Sequence, residues 1–439
     1  MLTEFHIGID DTDSTRGGCT TYLASLIFQE LCAKGIRPSD FPWLVRLNPN
    51  IPWKTRGNAA LAIHLLIDAS RIDEARRIGL STVERFTDFS DPNTDPALVF
   101  LRGPVPESLR EFYQHALQDV LTVKKASEVA GTAGVEVHLI KGQRGIVGSL
   151  AAIGAGLRET EHTFEIIAYR SKEALGTPRR VDSESVRQMD LEFQHHTFQN
   201  CDPDTGRILV CPHGPDPVLV GIRGDRPGVL WDALNRVHIT EPVERIMLFR
   251  TNQGTDAHIK LPRNISSLKT YQSAFITGRV ETTPRVLKGG HTLFRVHDGT
   301  GSIDCVAFAR SGTMMRISRE LLPGDHVEVS GGVRKRTSGA LSLNLEKIKT
   351  LQLVENFRER NPSCPACGGP SESMGKNQGL RCKNCRARLG YIPKDLTTVR
   401  RRLTASVYIP PPRSRRHLTS PRPDLSPGIT GKSLSIRRF

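Results

Sequence analysis

The sequence predicts a multidomain protein of mixed class: α/β and α+β units over the first 262 residues, then a small β-barrel, then a metal-stapled ribbon. Three observations carry this. Strand alternation and helical periodicity succeed one another through the first 250 residues. Five short apolar runs, with one helix after the third, fill residues 263–355. Two Cys-x-x-Cys pairs, Cys364/Cys367 and Cys382/Cys385, stand fourteen residues apart.

The chain has 439 residues and a net charge of +15. A polyanion partner is expected, and nucleic acid is the commonest one. There is no apolar run of membrane-spanning length and no signal-peptide pattern. Five of the nine cysteines are scattered, which fits reduced thiols better than a disulfide framework. The expectation is a cytoplasmic protein with no membrane partner.

The first domain is expected over 1–128. Phe5, Ile7 and Ile9 alternate as a strand, and Asp10, Asp11 and Asp13 follow at its end. Gly17 and Gly18 let the turn close tightly. From Cys19 a helix begins, with Tyr22, Leu23, Leu26, Ile27 and Leu31 on one face. Hard carboxylates beside the free N–H groups of a helix start suit Mg²⁺-nucleotide chemistry; the plain alternative is a solvated acidic turn. After strand Phe41–Leu47 comes a loop holding Lys54, Thr55, Arg56, Gly57 and Asn58. Its cations, hydroxyl and glycine suit phosphate, although the spacing is not that of a Walker loop. An ordinary basic turn before strand Leu61–Ile67 is the alternative. Helix Arg71–Phe86, strand Ala97–Leu101 and helical stretches over Glu107–Val129 complete the unit.

Asp10-Asp11-Thr12-Asp13-Ser14, Cys19-Thr20-Thr21-Tyr22-Leu23 and the run from Leu47 to Asn58 resemble the archaeal tRNA(Ile) 2-agmatinylcytidine synthetase family. Gly18 and Ala59 stand where that pattern has a methionine and a glycine. The resemblance implies a kinase-like, ATP-binding domain. Asp10, Asp11 and Asp13 would bind ATP and Mg²⁺. Gly17, Gly18, Lys54, Thr55, Arg56 and Asn58 would meet the phosphates, and Thr20 would become phosphorylated.

The second domain is expected over 129–262. Strand Gly134–Lys141, helix Gly145–Leu157, strands Thr163–Arg170 and Val218–Arg223, helix Gly228–Val237 and strand Glu244–Thr251 give the ferredoxin-like order βαββαβ. Turn chemistry explains much of Pro212–Val218 and Arg250–Asp256. Both segments, with Gly145–Gly154, also resemble the family's agmatine-binding domain. Agmatine is a dication, so a carboxylate must face its guanidinium; Asp216 and Asp256 are the candidates.

Residues 263–355 have the strand order of an OB-fold. Phe294-x-Val296-x-Asp298-x-x-Gly301-x-Ile303-x-Cys305-x-Ala307-Phe308 resembles nucleic-acid-binding OB domains. Arg279, Arg285, Lys288, Arg295, Arg334, Lys335 and Arg336 supply charge for tRNA. Phe294 or Phe308 is a candidate for stacking on a base, although strand aromatics are more often core. Over 356–395 the cysteine spacing closes a Cys₄ zinc ribbon, holding Zn²⁺ structurally with no open position. A redox pair would not come twice without a thioredoxin pattern around it. The tail, 396–439, is basic: the last forty residues hold ten Lys or Arg and one acid, Asp424. Val407–Pro412 with Arg415–Thr419 resembles the family's own C-terminus, which implies that this part docks on RNA or on the body; from Arg422 onward the tail is expected to be disordered.

With the domains in the family's order, the resemblance implies the whole reaction. The C2 oxygen of the wobble cytidine of the tRNA(Ile) with a CAU anticodon is phosphorylated and displaced by agmatine, with ATP split to AMP and phosphate, so that AUA is read. The rival is a non-catalytic OB-fold and zinc-ribbon binder of RNA or single-stranded DNA. It leaves the acidic turn and the Lys54–Asn58 loop without a purpose.

Overall fold

The computed structural model describes residues 2–421; the expectation of disorder from Arg422 falls outside them. Its first half is built as strand β1 (Leu2–Asp10), helix α1 (Thr20–Ala33), β2 (Trp43–Arg46), β3 (Ala59–Asp68), α2 (Ile72–Phe86), β4 (Ala97–Arg102), α3 (Glu107–Gln118), α4 (Val123–Thr132) and β5 (Glu136–Leu139). Then follow α5 (Gly145–Ile153), β6 (Thr163–Arg170), α6 (Ser183–Glu192), β7 (Thr197–Phe198), β8 (Val218–Gly224), α7 (Pro227–Arg236) and β9 (Val243–Thr251).

All nine strands form one sheet, in the order β5-β4-β1-β3-β2-β9-β6-β8-β7. The two α/β units are joined where β2 runs parallel to β9, with Trp43 beside Arg250 and Leu44 beside Thr251. The joint is sealed by apolar packing: Ile167, Tyr169 and Phe249 enter the same core as Phe5, Ile7, Ile9, Leu23 and Ile27. Each such fully buried side chain contributes about 1.5–3 kcal/mol relative to exposure. Alternation along β1 sends Phe5, Ile7 and Ile9 into this core, under α1 and α2.

The strand expected over 134–141 forms, but as Glu136–Leu139, and it does not neighbour β6. It pairs antiparallel with β4, Val99 facing Val137, and so completes the sheet of the first unit. The physical reason is an open edge. β4 would otherwise present unpaired backbone groups, whereas β6 already has β8 and β9 on its two sides.

α5 lies close against β1. A Cβ on Gly8 would stand 2.3 Å from the Ser149 carbonyl oxygen, and one on Gly148 would stand 1.9 Å from Asp10 Oδ2. These two glycines let helix and strand backbones approach and bring α5 onto the acidic turn.

The second half holds β10 (Ser273–Val280), β11 (Arg285–Val286), β12 (Thr292–His297), β13 (Ser302–Ala307), α8 (Thr313–Ser318), β14 (His326–Lys335) and β15 (Leu341–Gln352). β10-β14-β15-β13-β12 close into a five-stranded barrel through a β10–β12 pairing. Phe294 is buried in its core, so its ring has no face for a base. Phe308 is half-buried and packs edge-on against His291, ring centroids 5.1 Å apart.

Polar contacts seat the barrel on the first unit. The Asn48 side chain donates to the Tyr271 carbonyl at 2.8 Å, and that of Asn50 to Ser273 Oγ at 3.0 Å. Arg263 pairs with Asp119 at 2.9 Å, and buried His258 meets Glu346 at 2.8 Å.

Beyond the barrel, β16 (Phe357–Arg360) pairs with a later strand, β20 (Asp395–Thr398), while β17 (Ser371–Ser373), β18 (Leu380–Cys382) and β19 (Arg388–Gly390) form the ribbon. β21 (Val407–Tyr408) returns to pair with β15. From there the chain crosses to the first half and buries Leu418 in its core.

Candidate active site: two cavities that share a wall

The acidic turn closes through its own side chains. Asp13 Oδ1 accepts the Thr20 backbone N–H at 2.7 Å and the Thr20 hydroxyl at 2.9 Å. Cys19, before the first helical residue, makes no side-chain cap. A carboxylate seven residues upstream thus caps α1, and the negative group sits where the helix dipole favours it. Thr12 Oγ1 donates to Thr20 Oγ1 at 3.0 Å, so the Thr20 hydroxyl is fixed from both sides.

Asp10 and Asp11 are crowded. Burial first, then the neighbouring Asp11 carboxylate, pushes the Asp10 carboxyl well above the usual range. Burial also pushes Asp11 up to about 7; Arg144 opposes this, while Asp95 and Asp13 add to it. Asp11 adopts a left-handed φ of 57°, which Asp tolerates better than most residues. Arg144 Nη2 lies 3.3 Å from Asp11 and its Nε 3.5 Å from Asp95. Asp95, Arg144 and Gly148 escape sequence reasoning because each lies on a different element from the turn.

The basic loop faces the acidic turn across a cavity of about 330 Å³. Asp10, Asp11, Asp13, Thr20, Lys54, Thr55, Arg56 and Asn58 line it, with Trp53, Leu121, Val123 and Val147 as its apolar side. Thr55 Oγ1 is buried with no hydrogen-bond partner among the described residues. Lys54 Nζ donates to the Ile51 carbonyl at 2.9 Å. Gly17 and Gly18 do not line this cavity. Gly17 takes a φ of 132°, and the Gly18 carbonyl accepts from Arg56.

Arg56 joins this cavity to a second one of about 280 Å³, which also contains Asp13 and Thr20. Its guanidinium sits 2.9 Å from Asp13 Oδ1 and 3.0 Å from Asp216 Oδ2. Burial works against that charge, but Asp13, Cys19 and Asp216 together outweigh it and hold the guanidinium above its ordinary value. Asp216 lines the second cavity, also paired with Arg179 at 3.7 Å. Glu165, Arg46, Arg223 and His417 line it too; nothing in their sequence spacing marked them.

Asp256 lines neither cavity. It pairs with Lys347, and its Oδ1 accepts the Ser420 N–H at 2.8 Å. Asp216 and Asp256 were equal candidates in the sequence, and the structure separates them.

On the barrel, Arg295 and Arg336 share Asp304. Arg279 donates to the Gly324 carbonyl at 3.1 Å. Arg334 is a joint residue: it donates to the Asn50 carbonyl at 3.0 Å and lies over the Tyr271 ring at 5.2 Å. Arg285, Lys288 and Lys335 lie on the outer surface.

In the ribbon, the four Sγ atoms of Cys364, Cys367, Cys382 and Cys385 lie within 4.8 Å of one another. Cys364 and Cys385 are 3.7 Å apart, Cys367 and Cys382 3.4 Å. Tetrahedral Zn–S bonds of about 2.3 Å require sulfurs about 3.8 Å apart, so the donors fit zinc. The Cys385 and Asn384 backbone N–H groups point at Cys382 Sγ and hold that thiol down to about 6. Cys364→Ser is expected to release the metal, seen as less than one zinc per chain by metal analysis.

The comparisons agree with this layout. Residues 6–142 match the TiaS TCKD domain and 143–258 the TiaS FLD domain. Residues 274–351 match an OB-fold nucleic acid binding domain and 361–403 the TiaS C-terminal zinc ribbon domain. The chain is 43% identical over 419 residues to the tRNA(Ile) 2-agmatinylcytidine synthetase TiaS of Pyrococcus horikoshii, covering 95% of this chain and 96% of that one. It is 39% identical to that of Thermococcus sibiricus, over the full length of both. It is similar to the crystal structure of TiaS in complex with its isoleucine tRNA and ATP, with a TM-score of 0.86, 37% identity, and 98% and 99% of the two chains covered. A complex of TiaS with that tRNA, AMPCPP and agmatine is similar at TM-score 0.83 and 34% identity, with 98% and 99% covered.

Proposed function

The chain belongs to the tRNA(Ile) 2-agmatinylcytidine synthetase family, and on that premise we propose that it uses ATP to replace the C2 oxygen of the wobble cytidine of the isoleucine tRNA with agmatine. The base oxygen is phosphorylated, agmatine displaces it, and AMP and phosphate are the other products. The observation that carries the proposal is the shared wall. A nucleotide-sized cavity with an acidic turn and a basic loop meets a second, carboxylate-bearing cavity at Asp13, Thr20 and Arg56. A binder without chemistry has no use for that arrangement.

Asp13 is placed to take the Thr20 hydroxyl proton as the oxygen is phosphorylated, 2.9 Å away. Lys54 and Arg56 hold the phosphates in line. Asp10, Asp11 and Asp13 would hold Mg²⁺: burial first, and then carboxylate repulsion, push the Asp10 and Asp11 carboxyls up, and a divalent cation offsets both. When bound, it supplies charge neutralisation for the phosphates. Asp216 takes the guanidinium of agmatine.

In this scheme residues 1–128, completed by β5 and by Arg144, Val147 and Gly148 at the start of α5, handle ATP, and the second cavity, walled by 129–262 together with Asp13, Thr20 and Arg56, handles agmatine. The parts at 263–355 and 356–395 grip the tRNA, while the tail docks on the body through Arg413, His417 and Leu418. No helix among the described residues is long and apolar enough to cross a membrane, and a tRNA substrate places the work in the cytoplasm.

Mass spectrometry after incubation with ATP and Mg²⁺ tests the chemistry. Phosphate is expected on Thr20 and lost in Thr20→Ala, while agmatine-dependent mass appears on the tRNA only with the wild type. Phosphate on Thr21 or Ser14, or nowhere, would refute the assignment. The double variant Lys288→Ala/Lys335→Ala is expected to weaken tRNA binding and lower its salt slope by about one per charge, with ATP affinity unchanged. A salt titration of tRNA affinity measures both.

A further inference from the structure

One wall of the second cavity comes from the far end of the chain. His417 lines that cavity together with Asp216 and Glu165. The segment carrying it is held on both flanks. Arg413 pairs with buried Asp202 at 2.6 Å. The Gly254 N–H donates to the His417 carbonyl at 2.9 Å, the Asp256 N–H donates to the Leu418 carbonyl at 2.7 Å, and Leu418 is 1% exposed. The imidazole lies over the basic loop: a Cβ on Gly57 would stand 3.2 Å from its Nε2. Tertiary contacts to its backbone and to both flanks therefore set where His417 enters the cavity wall.

The charges around it are unequal in use. Asp216 pairs with Arg56 and Arg179, Glu165 with Arg223 at 2.9 Å, and Asp13 with Arg56. These carboxylates suit a guanidinium, which can exchange with the arginines already there. His417 differs. Arg46 above all, then burial, then Arg223 and Arg416, holds its imidazole uncharged. An uncharged ring nitrogen accepts a hydrogen bond. The amine that attacks the base must itself be uncharged, and the same arginines disfavour its ammonium form.

We propose that His417 is a specificity-determining residue of the second cavity: its imidazole accepts a hydrogen bond from the amino group of the substrate, so the site distinguishes an aminoalkyl guanidine from an alkyl guanidine. This rests on the second cavity being the amine site.

The test uses the full chain with saturating ATP and tRNA. It compares the KM for agmatine with the inhibition constant of 1-butylguanidine, which has the same guanidinium and no amino group. His417→Ala is expected to raise the agmatine KM about tenfold, the loss of one buried hydrogen bond. The butylguanidine constant should move less than about twofold, and Thr20 labelling without tRNA should stay at the wild-type level. His417→Gln, which keeps an acceptor, should recover most of the loss. Equal rises for both ligands would make the segment a wall only and overturn the proposal. So would an unchanged KM, or a Gln variant as impaired as Ala. Failure of the amine-site assignment looks different: butylguanidine would not compete in the wild type, and Asp216→Asn would leave the agmatine KM unchanged.

Discussion

Asp11→Asn is expected to lower both Thr20 labelling and tRNA modification by about 1000-fold, the loss that the proposed Mg²⁺ role of Asp11 implies. The substitution isolates charge from shape. Asp11 has a left-handed φ of 57°, and Asn is among the few residues that accept it without strain. Arg144 keeps a partner in Asp95, at 3.5 Å, and donates to the Asn93 carbonyl at 2.7 Å. Removing a carboxylate from a buried acidic cluster relieves repulsion rather than leaving a charge unpaired. The thermal midpoint of the nucleotide-free protein should hold or rise while activity falls. Steady-state rates and a melting curve on the same preparation check this. Activity within tenfold of wild type would remove Asp11 from the machinery.

Gly148→Ala is expected to abolish ATP binding and to destabilise the fold by about 1–3 kcal/mol, the usual result of forcing a methyl group into a packed contact. The new Cβ would fall 1.9 Å from Asp10 Oδ2 and 3.1 Å from the Ala60 Cβ. Either the Asp10 carboxylate leaves the cavity or α5 lifts from the sheet, and both break the acidic site. Gly131→Ala is the matched control. It lies in α4 with nothing within 4 Å of a Cβ, so it should stabilise by about 0.5–1 kcal/mol through helix propensity. Calorimetric ATP titration and a denaturant melt separate the two. ATP binding retained by Gly148→Ala would mean that Asp10 does not need its observed position.

What the sequence determined by itself is local. Alternation at Phe5, Ile7 and Ile9 marked β1, because strand periodicity is written in neighbouring residues. The four cysteines marked the zinc ribbon, because two short knuckles bring the ligands together within each pair. The acidic turn and the Lys54–Asn58 loop stood out because several reactive groups fall within a few residues. What only the tertiary structure decided is who meets whom. β5 joined β4 because that edge was open, a fact about the sheet and not about residues 134–141. Asp216 and Asp256 look alike as turn aspartates, yet one meets Arg56 at the cavity wall and the other Lys347 outside it. Arg144, Gly148 and His417 reach the site from 134 to 407 residues away from Asp10. Ion pairing and close packing depend on distance through space, which periodicity and spacing along a chain do not encode.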